Sequence, residues 1–88
     1  MDSLPNKPET SDQQFVFTLT LRDQPGVLVS VIQVFDRHEL EISSLVVEPS
    51  GLTPESQMTV HVSGHRHIMS EAVKQLAELV DVIEVHLG

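Results

Sequence analysis

The stretch Phe15-Val-Phe-Thr-Leu-Thr-Leu-Arg-Asp-Gln-Pro-Gly-Val-Leu28 decides the fold, because the period of its apolar residues changes inside it. Up to Leu21 the period is two: Phe15, Phe17, Leu19 and Leu21 share one face, and Val16, Thr18 and Thr20 share the other, as in a half-buried strand. From Val27 onward, Val27, Leu28, Val31, Ile32 and Phe35 recur at steps of three and four, with Ser30, Gln33, Asp36 and Arg37 between them, which predicts an amphipathic helix of about three turns. The switch falls on Asp23-Gln-Pro-Gly26. Asp23 is suited to accept a hydrogen bond from a first-turn N–H, Pro25 has a helix-compatible φ and no N–H to satisfy, and Gly26 permits close approach to the backbone. A helix start built this way offers a shallow nest of free amides and about half a positive charge, enough to hold a small carboxylate without a basic side chain. A well-capped helix with no ligand explains the same residues.

Composition narrows the functions available. An 88-residue chain makes one small domain, and chains of this size bury only about 60% of their unfolded surface, so association with another chain is expected. Its residues are 40% hydrophobic but only 3% aromatic, which requires an aliphatic core. The net charge of −8, with five Lys and Arg in all, repels phosphate backbones and anionic lipid and argues against nucleic acid or a membrane surface as partner. With no cysteine, disulfides, thiolate nucleophiles and Cys-based metal sites are excluded. No apolar run spans a bilayer and no basic-then-apolar leader opens the sequence, so a cytoplasmic protein is expected.

Outward from the central stretch, residues 1–14 carry Pro5, Pro8 and mostly polar side chains and are expected to form a disordered tail, with the folded domain running from 15 to 88. His38-Glu-Leu40 closes the first helix without a glycine, and Glu41-Ile-Ser-Ser-Leu-Val-Val-Glu48 follows as a β-branched strand. Pro49 to Ser56 holds two prolines and a glycine and is expected to be a loop. Gln57 to Gly64 alternates again, with Met58, Val60 and Val62 on one side. Ile68, Met69, Ala72, Val73, Leu76 and Val80 mark a second helix, and Val80 to Leu87 a closing strand. The order strand, helix, strand, strand, helix, strand predicts an α+β ferredoxin-like βαββαβ sandwich: a four-stranded antiparallel sheet with two helices on one face. In that topology Glu41 to Glu48 is an edge, and Ile42, Leu45, Val46 and Val47 are too apolar for an edge left in water. Pairing with the same edge of a second copy would cover them, so a homodimer is expected.

Little in the sequence suggests catalysis. His65-Arg-His67 has no Cys beside it and no acid nearer in sequence than Glu71, so a polar turn accounts for it better than a metal site. No nucleophile elbow such as Gly-x-Ser-x-Gly is present, and Glu41, Glu48 and Glu84 read best as solvated carboxylates. A binding surface is expected instead of a catalytic site.

The run Leu19-Thr-Leu-Arg-Asp-Gln-Pro-Gly-Val-Leu28 with the helix and strand after it resembles the start of ACT domains, the amino-acid-sensing modules of metabolic enzymes. Ile42-Ser-Ser-Leu-Val-Val-Glu-Pro49, Gln57-Met-Thr-Val60 and above all Lys74-Gln-Leu-Ala-Glu-Leu-Val-Asp-Val-Ile-Glu-Val85 extend the likeness. From about Phe15 to Leu87 the chain is similar to small regulatory subunits of acetolactate synthase (acetohydroxyacid synthase). That resemblance implies a noncatalytic partner of a large catalytic subunit, which would itself hold thiamine diphosphate, magnesium and flavin in branched-chain amino-acid synthesis, while this chain holds no cofactor. It also implies a branched-chain amino acid at the meeting of two ACT domains. The residues carried over for that site are Asp23, Gln24, Pro25, Gly26, Val27 and Leu28 from the loop, with Glu41 and Ile42 from the start of the second strand. The chain resembles the short, single-domain form. Glu39 and Glu41 stand where the family usually has Gly and Asn, so a weakened effector site is expected. An ACT module regulating some other enzyme is the alternative.

Overall fold

The computed structural model describes residues 13–88. The elements run β1 (Gln13–Arg22), α1 (Val27–Arg37), β2 (Glu41–Pro49), β3 (Glu55–Gly64), α2 (Arg66–Ala77) and β4 (Val82–Leu87). All pairings are antiparallel, in the order β2-β3-β1-β4, which is the expected ferredoxin-like arrangement with β2 at one edge. Residues 1–12, most of the expected tail, lie outside the described range. Gln13 and Gln14 already belong to β1, paired with Gly64 and Ser63.

Side-chain alternation sets the inner face. Phe17, Leu19 and Leu21 of β1 face the same layer as Met58, Val60 and Val62 of β3, and all six are buried. They form one core with Val31, Val34 and Phe35 of α1 and Met69, Ala72 and Leu76 of α2. Phe17 and Phe35 meet edge to face, with ring centroids 5.0 Å apart at 82°, a favoured aromatic geometry. Both helices contribute to this one core, and Arg37 Nη1 donates to Gln75 Oε1 between them at 3.2 Å. The opposite face of the sheet is left without a helix.

Several local expectations are corrected. In α1 it is Val34 that is buried, while Leu28 and Ile32 are exposed. The helix has apolar residues on more than one stripe, and docking on the sheet selects among them. Val80 lies beyond α2 and is 86% exposed. The loop expected over 49–56 shrinks, because Pro49 pairs with Ser56 and β3 begins at Glu55. A proline is tolerated at the end of an edge strand, where no ladder N–H is required of it. The hairpin tip is then built around Ser50, whose Oγ accepts from the N–H groups of Leu52 and Thr53 at 3.3 and 3.1 Å. A bulge between Ile42 and Ser44 sets Ile42 opposite Val62 and Leu45 opposite Val60, so two apolar residues three apart in sequence face inward together.

α1 ends in a Schellman turn: the Glu39 N–H donates to Asp36 O and the Leu40 N–H to Phe35 O, both at 2.9 Å. The residue at the left-handed position of this turn is normally glycine, yet here it is Glu39, at φ 58. Leu40 is then delivered into the core, 5% exposed. Relief of that backbone strain exceeds the extra chain entropy glycine gains on unfolding, so Glu39→Gly should stabilise the domain by about 0.5–1 kcal/mol, read as a higher melting temperature. A lower one would show that the Glu39 side chain contributes more than its backbone costs.

Candidate functional site

The join between β1 and α1 is held from both sides. The Arg22 N–H donates to Asp81 O at 2.8 Å, the Asp23 N–H to Pro54 O at 3.0 Å, and the Gln24 N–H back to Arg22 O at 2.8 Å. These bonds bring the β1–α1 loop, the β2–β3 hairpin and the turn before β4 to one end of the sheet. The cap differs from its expected form. Gly26, at φ 87, is the N-cap, and no side chain caps the helix. Because Gly26 turns the chain in the left-handed region, α1 starts four residues beyond Asp23, past the reach of its carboxylate to the first-turn amides, and Pro25 precedes the cap instead of following it. The amide nest survives this change: the N–H groups of Gly26, Leu28 and Val29 have no backbone partner among the described residues. They sit at the positive end of an 11-residue helix.

A cavity of about 270 Å³ opens beside this loop. Leu21 and Ser56, both buried, form its floor. Val27, Leu28 and Val47 give it apolar walls, and Arg22, Asp23, Gln24 and Gly26 border it. Five of the expected effector residues therefore surround one space: Asp23, Gln24, Gly26, Val27 and Leu28. Pro25 instead lines a neighbouring cavity of about 320 Å³ between the start of α1 and the Leu79-Val80-Asp81 turn. A further cavity of about 310 Å³ lies on the uncovered sheet face, beside Glu48 and Glu55.

Glu41 and Ile42 are elsewhere within the chain. They open β2 opposite Ser63 and Val62, whereas Val47 lies opposite Met58 near the other end of the strand. Six residues of strand put Glu41 roughly 20 Å from Val47. One copy cannot bring Glu41 and Ile42 to its own cavity.

The expected interface residues lie on the open edge. Val46 is 49% and Val47 38% exposed, while Ile42 and Leu45 are half-buried. Leu28 and Ile32, one turn apart on α1, are likewise exposed, and Leu28 and Val47 border the same cavity. The edge strand and the flank of α1 thus form one apolar band. Leu21, Arg22, Val47 and Ser56 are cavity residues that sequence reasoning did not assign to the site. Ser56 carried a legible signal, since it continues the inward column of Met58, Val60 and Val62 with a hydroxyl, but only once β3 is extended back to include it.

The remaining candidates stay apart. Glu84 is on β4, separated by two strands from Glu41 and Glu48 on β2, and pairs with His86 at 3.1 Å. His65 precedes α2 and His67 lies in its first turn, their ring centroids 5.3 Å apart. Among the described residues no three His, Cys, Asp or Glu side chains group as metal ligands, and no helix is long and apolar enough to cross a membrane.

Known proteins share this fold. The chain is 32% identical over 75 residues to an acetolactate synthase small subunit of Mycobacterium bovis, covering 85% of this chain and 45% of that protein. It is 33% identical over 70 residues to the small subunit of acetolactate synthase isozyme 3 of Escherichia coli, covering 80% of this chain and 43% of the relative. The chain thus spans a little under half the length of the curated relatives it matches. The crystal structure of an acetolactate synthase small subunit from Thermotoga maritima superposes with a TM-score of 0.75 at 27% identity, over 85% of this chain and 47% of that one. The ACT domain of a GTP pyrophosphokinase from Chlorobium tepidum matches in fold, with a TM-score of 0.75 at 11% identity over 89% of this chain and all of that one. The family described as AHAS small subunit-like ACT domain matches residues 17–84, and the chain belongs to that family.

Proposed function

We propose that this chain regulates acetolactate synthase in the cytoplasm: two copies pair along β2, hold a branched-chain amino acid between them, and set the rate of a separate catalytic subunit. The observation that carries this reading is that Leu28 and Val47 belong both to the cavity and to the exposed apolar band. Whatever covers the band also closes the cavity. With antiparallel pairing about a two-fold axis, the end of β2 in one copy lies against the start of β2 in the other. Glu41 and Ile42 of the second copy then complete the site that Asp23 to Leu28 begin. The amino acid's carboxylate would rest on the free amides at the start of α1 and its hydrocarbon on Val27, Leu28 and Ile42. Thiamine diphosphate, magnesium and flavin would belong to the catalytic subunit. Co-elution with a catalytic subunit of acetolactate synthase on a sizing column is the expected result. Elution of the two at their separate positions would contradict the partnership, and capture by a different enzyme would favour a stand-alone ACT regulator.

Glu41 makes this site weaker than an uncharged residue would. Repulsion between two carboxylates at contact runs from about 1 kcal/mol in water-like surroundings to about 4 kcal/mol where solvent is partly excluded. Glu41 is exposed in the single chain, so the low end applies, and Glu41→Asn should bind valine, leucine or isoleucine about five- to tenfold more tightly by calorimetry. Tighter binding by the wild type would mean that Glu41 holds the ligand's ammonium group.

A further inference from the structure

The cavity beside the β1–α1 loop contains a polar group that the site as described does not use. Ser56 is 7% exposed, and among the described residues it is the sole buried polar residue in a core of aliphatic, methionine and phenylalanine side chains. It faces inward, paired with Leu21 on β1 and Pro49 on β2. Among the described residues its Oγ makes no hydrogen bond. Among the described residues the fully enclosed side-chain atom without a partner is His38 Nε2 and not Ser56 Oγ. Ser56 borders both this cavity and the one on the open sheet face, and its register with Leu21, which lines only the former, turns its side chain to this one. A buried hydroxyl left unpaired is costly, and buried polar groups are in general satisfied. An apolar residue here would simply continue the column of Met58, Val60 and Val62.

We propose that Ser56 is a ligand-contacting residue of this cavity, its Oγ accepting a hydrogen bond from the ammonium group of a bound α-amino acid. This deepens the preceding functional reading and rests on it. The two polar groups of such a ligand are sorted by their surroundings. The free amides of Gly26, Leu28 and Val29, at the positive end of α1, together with Arg22, draw the carboxylate to the cavity mouth. The ammonium, fixed to the same carbon, needs acceptors, and the cavity supplies the Asp23 carboxylate at its border and the Ser56 hydroxyl on its floor. The cavity then selects for amino acids over carboxylic acids of the same shape, because an acid without the amino group leaves Ser56 unpaired.

The test is an NMR titration of the full chain with L-valine and with 3-methylbutanoate, which keeps valine's hydrocarbon and carboxylate but lacks the ammonium. Such a titration follows even millimolar affinity. Ser56→Ala should weaken valine binding about tenfold and leave 3-methylbutanoate within about twofold of its wild-type affinity. Ser56→Thr, which keeps the hydroxyl, should keep the wild-type preference for valine over the acid and guards against a fold defect in the alanine variant. Unchanged valine affinity in Ser56→Ala, or a loss shared equally by both ligands in a folded variant, overturns the role of Ser56 alone. If the wild type binds no amino acid, the functional reading and this inference fall together.

Discussion

Val46→Lys is expected to convert a dimer of this chain into a monomer. Val46 is about half exposed on an edge strand, opposite Thr59 on the face of the sheet that carries no helix, so its substitution spares the core. Across a two-fold axis every substitution occurs twice, and each new ammonium faces its own copy at the seam. Like charges brought together at an interface cost several kcal/mol, on the order of a hundredfold in the dissociation constant. The effect should appear even though each lysine lowers the net negative charge that already sets the two copies against one another. Leu45→Lys should do the same and also lower the melting temperature, because Leu45 is half-buried against the core. Sedimentation or a sizing column reads the result. A dimer that survives both substitutions would place the interface elsewhere and leave Glu41 and Ile42 far from the cavity.

A second large effect is expected from Phe35→Ala. Phe35 is wholly buried on α1 and stands edge to face with Phe17, which is also wholly buried. With only three phenylalanines and no tyrosine or tryptophan in the chain, this pair is the largest block of the core, and it joins the sheet to its first helix. Removing such a ring costs about 3–5 kcal/mol, from lost burial and from the cavity left behind. An 88-residue domain has on the order of 4–13 kcal/mol to lose, so the variant should melt at least about 12 °C lower and could be unfolded at 37 °C. A shift of only a few degrees would mean that neighbouring side chains collapse into the space. Because folding and pairing are linked by mass action, the loss should be greater in dilute solution.

Much of this was legible in the sequence where one physical signal dominated. The alternation of Phe17, Leu19 and Leu21, and of Met58, Val60 and Val62, found the inner sheet face, and the change of period at Asp23-Gln-Pro-Gly26 found the join. The order of strands and helices placed β2 at the edge. The signals failed where tertiary structure chooses between equally good local answers. Val27 to Phe35 is apolar nearly all round, so periodicity alone cannot distinguish Val34, which is buried, from Ile32, which is not. Asp23 has the right chemistry for a cap, but the left-handed turn at Gly26 moved the helix start out of its reach. Pro49 and Pro54 made the hairpin look longer than it is and hid Ser56 in a supposed loop. Glu41 is close in sequence to the end of α1, but the length of β2 holds it roughly 20 Å from the cavity, a separation visible only once the register is known.

Regulation is tested most directly by the rate of acetolactate formation by a catalytic subunit of acetolactate synthase from the same genome, measured as this chain is added. The expected result is a saturable rise in turnover, lost with Val46→Lys and reduced by valine in proportion to the valine bound. A rate unaffected by the wild-type chain at any concentration would contradict the regulatory role.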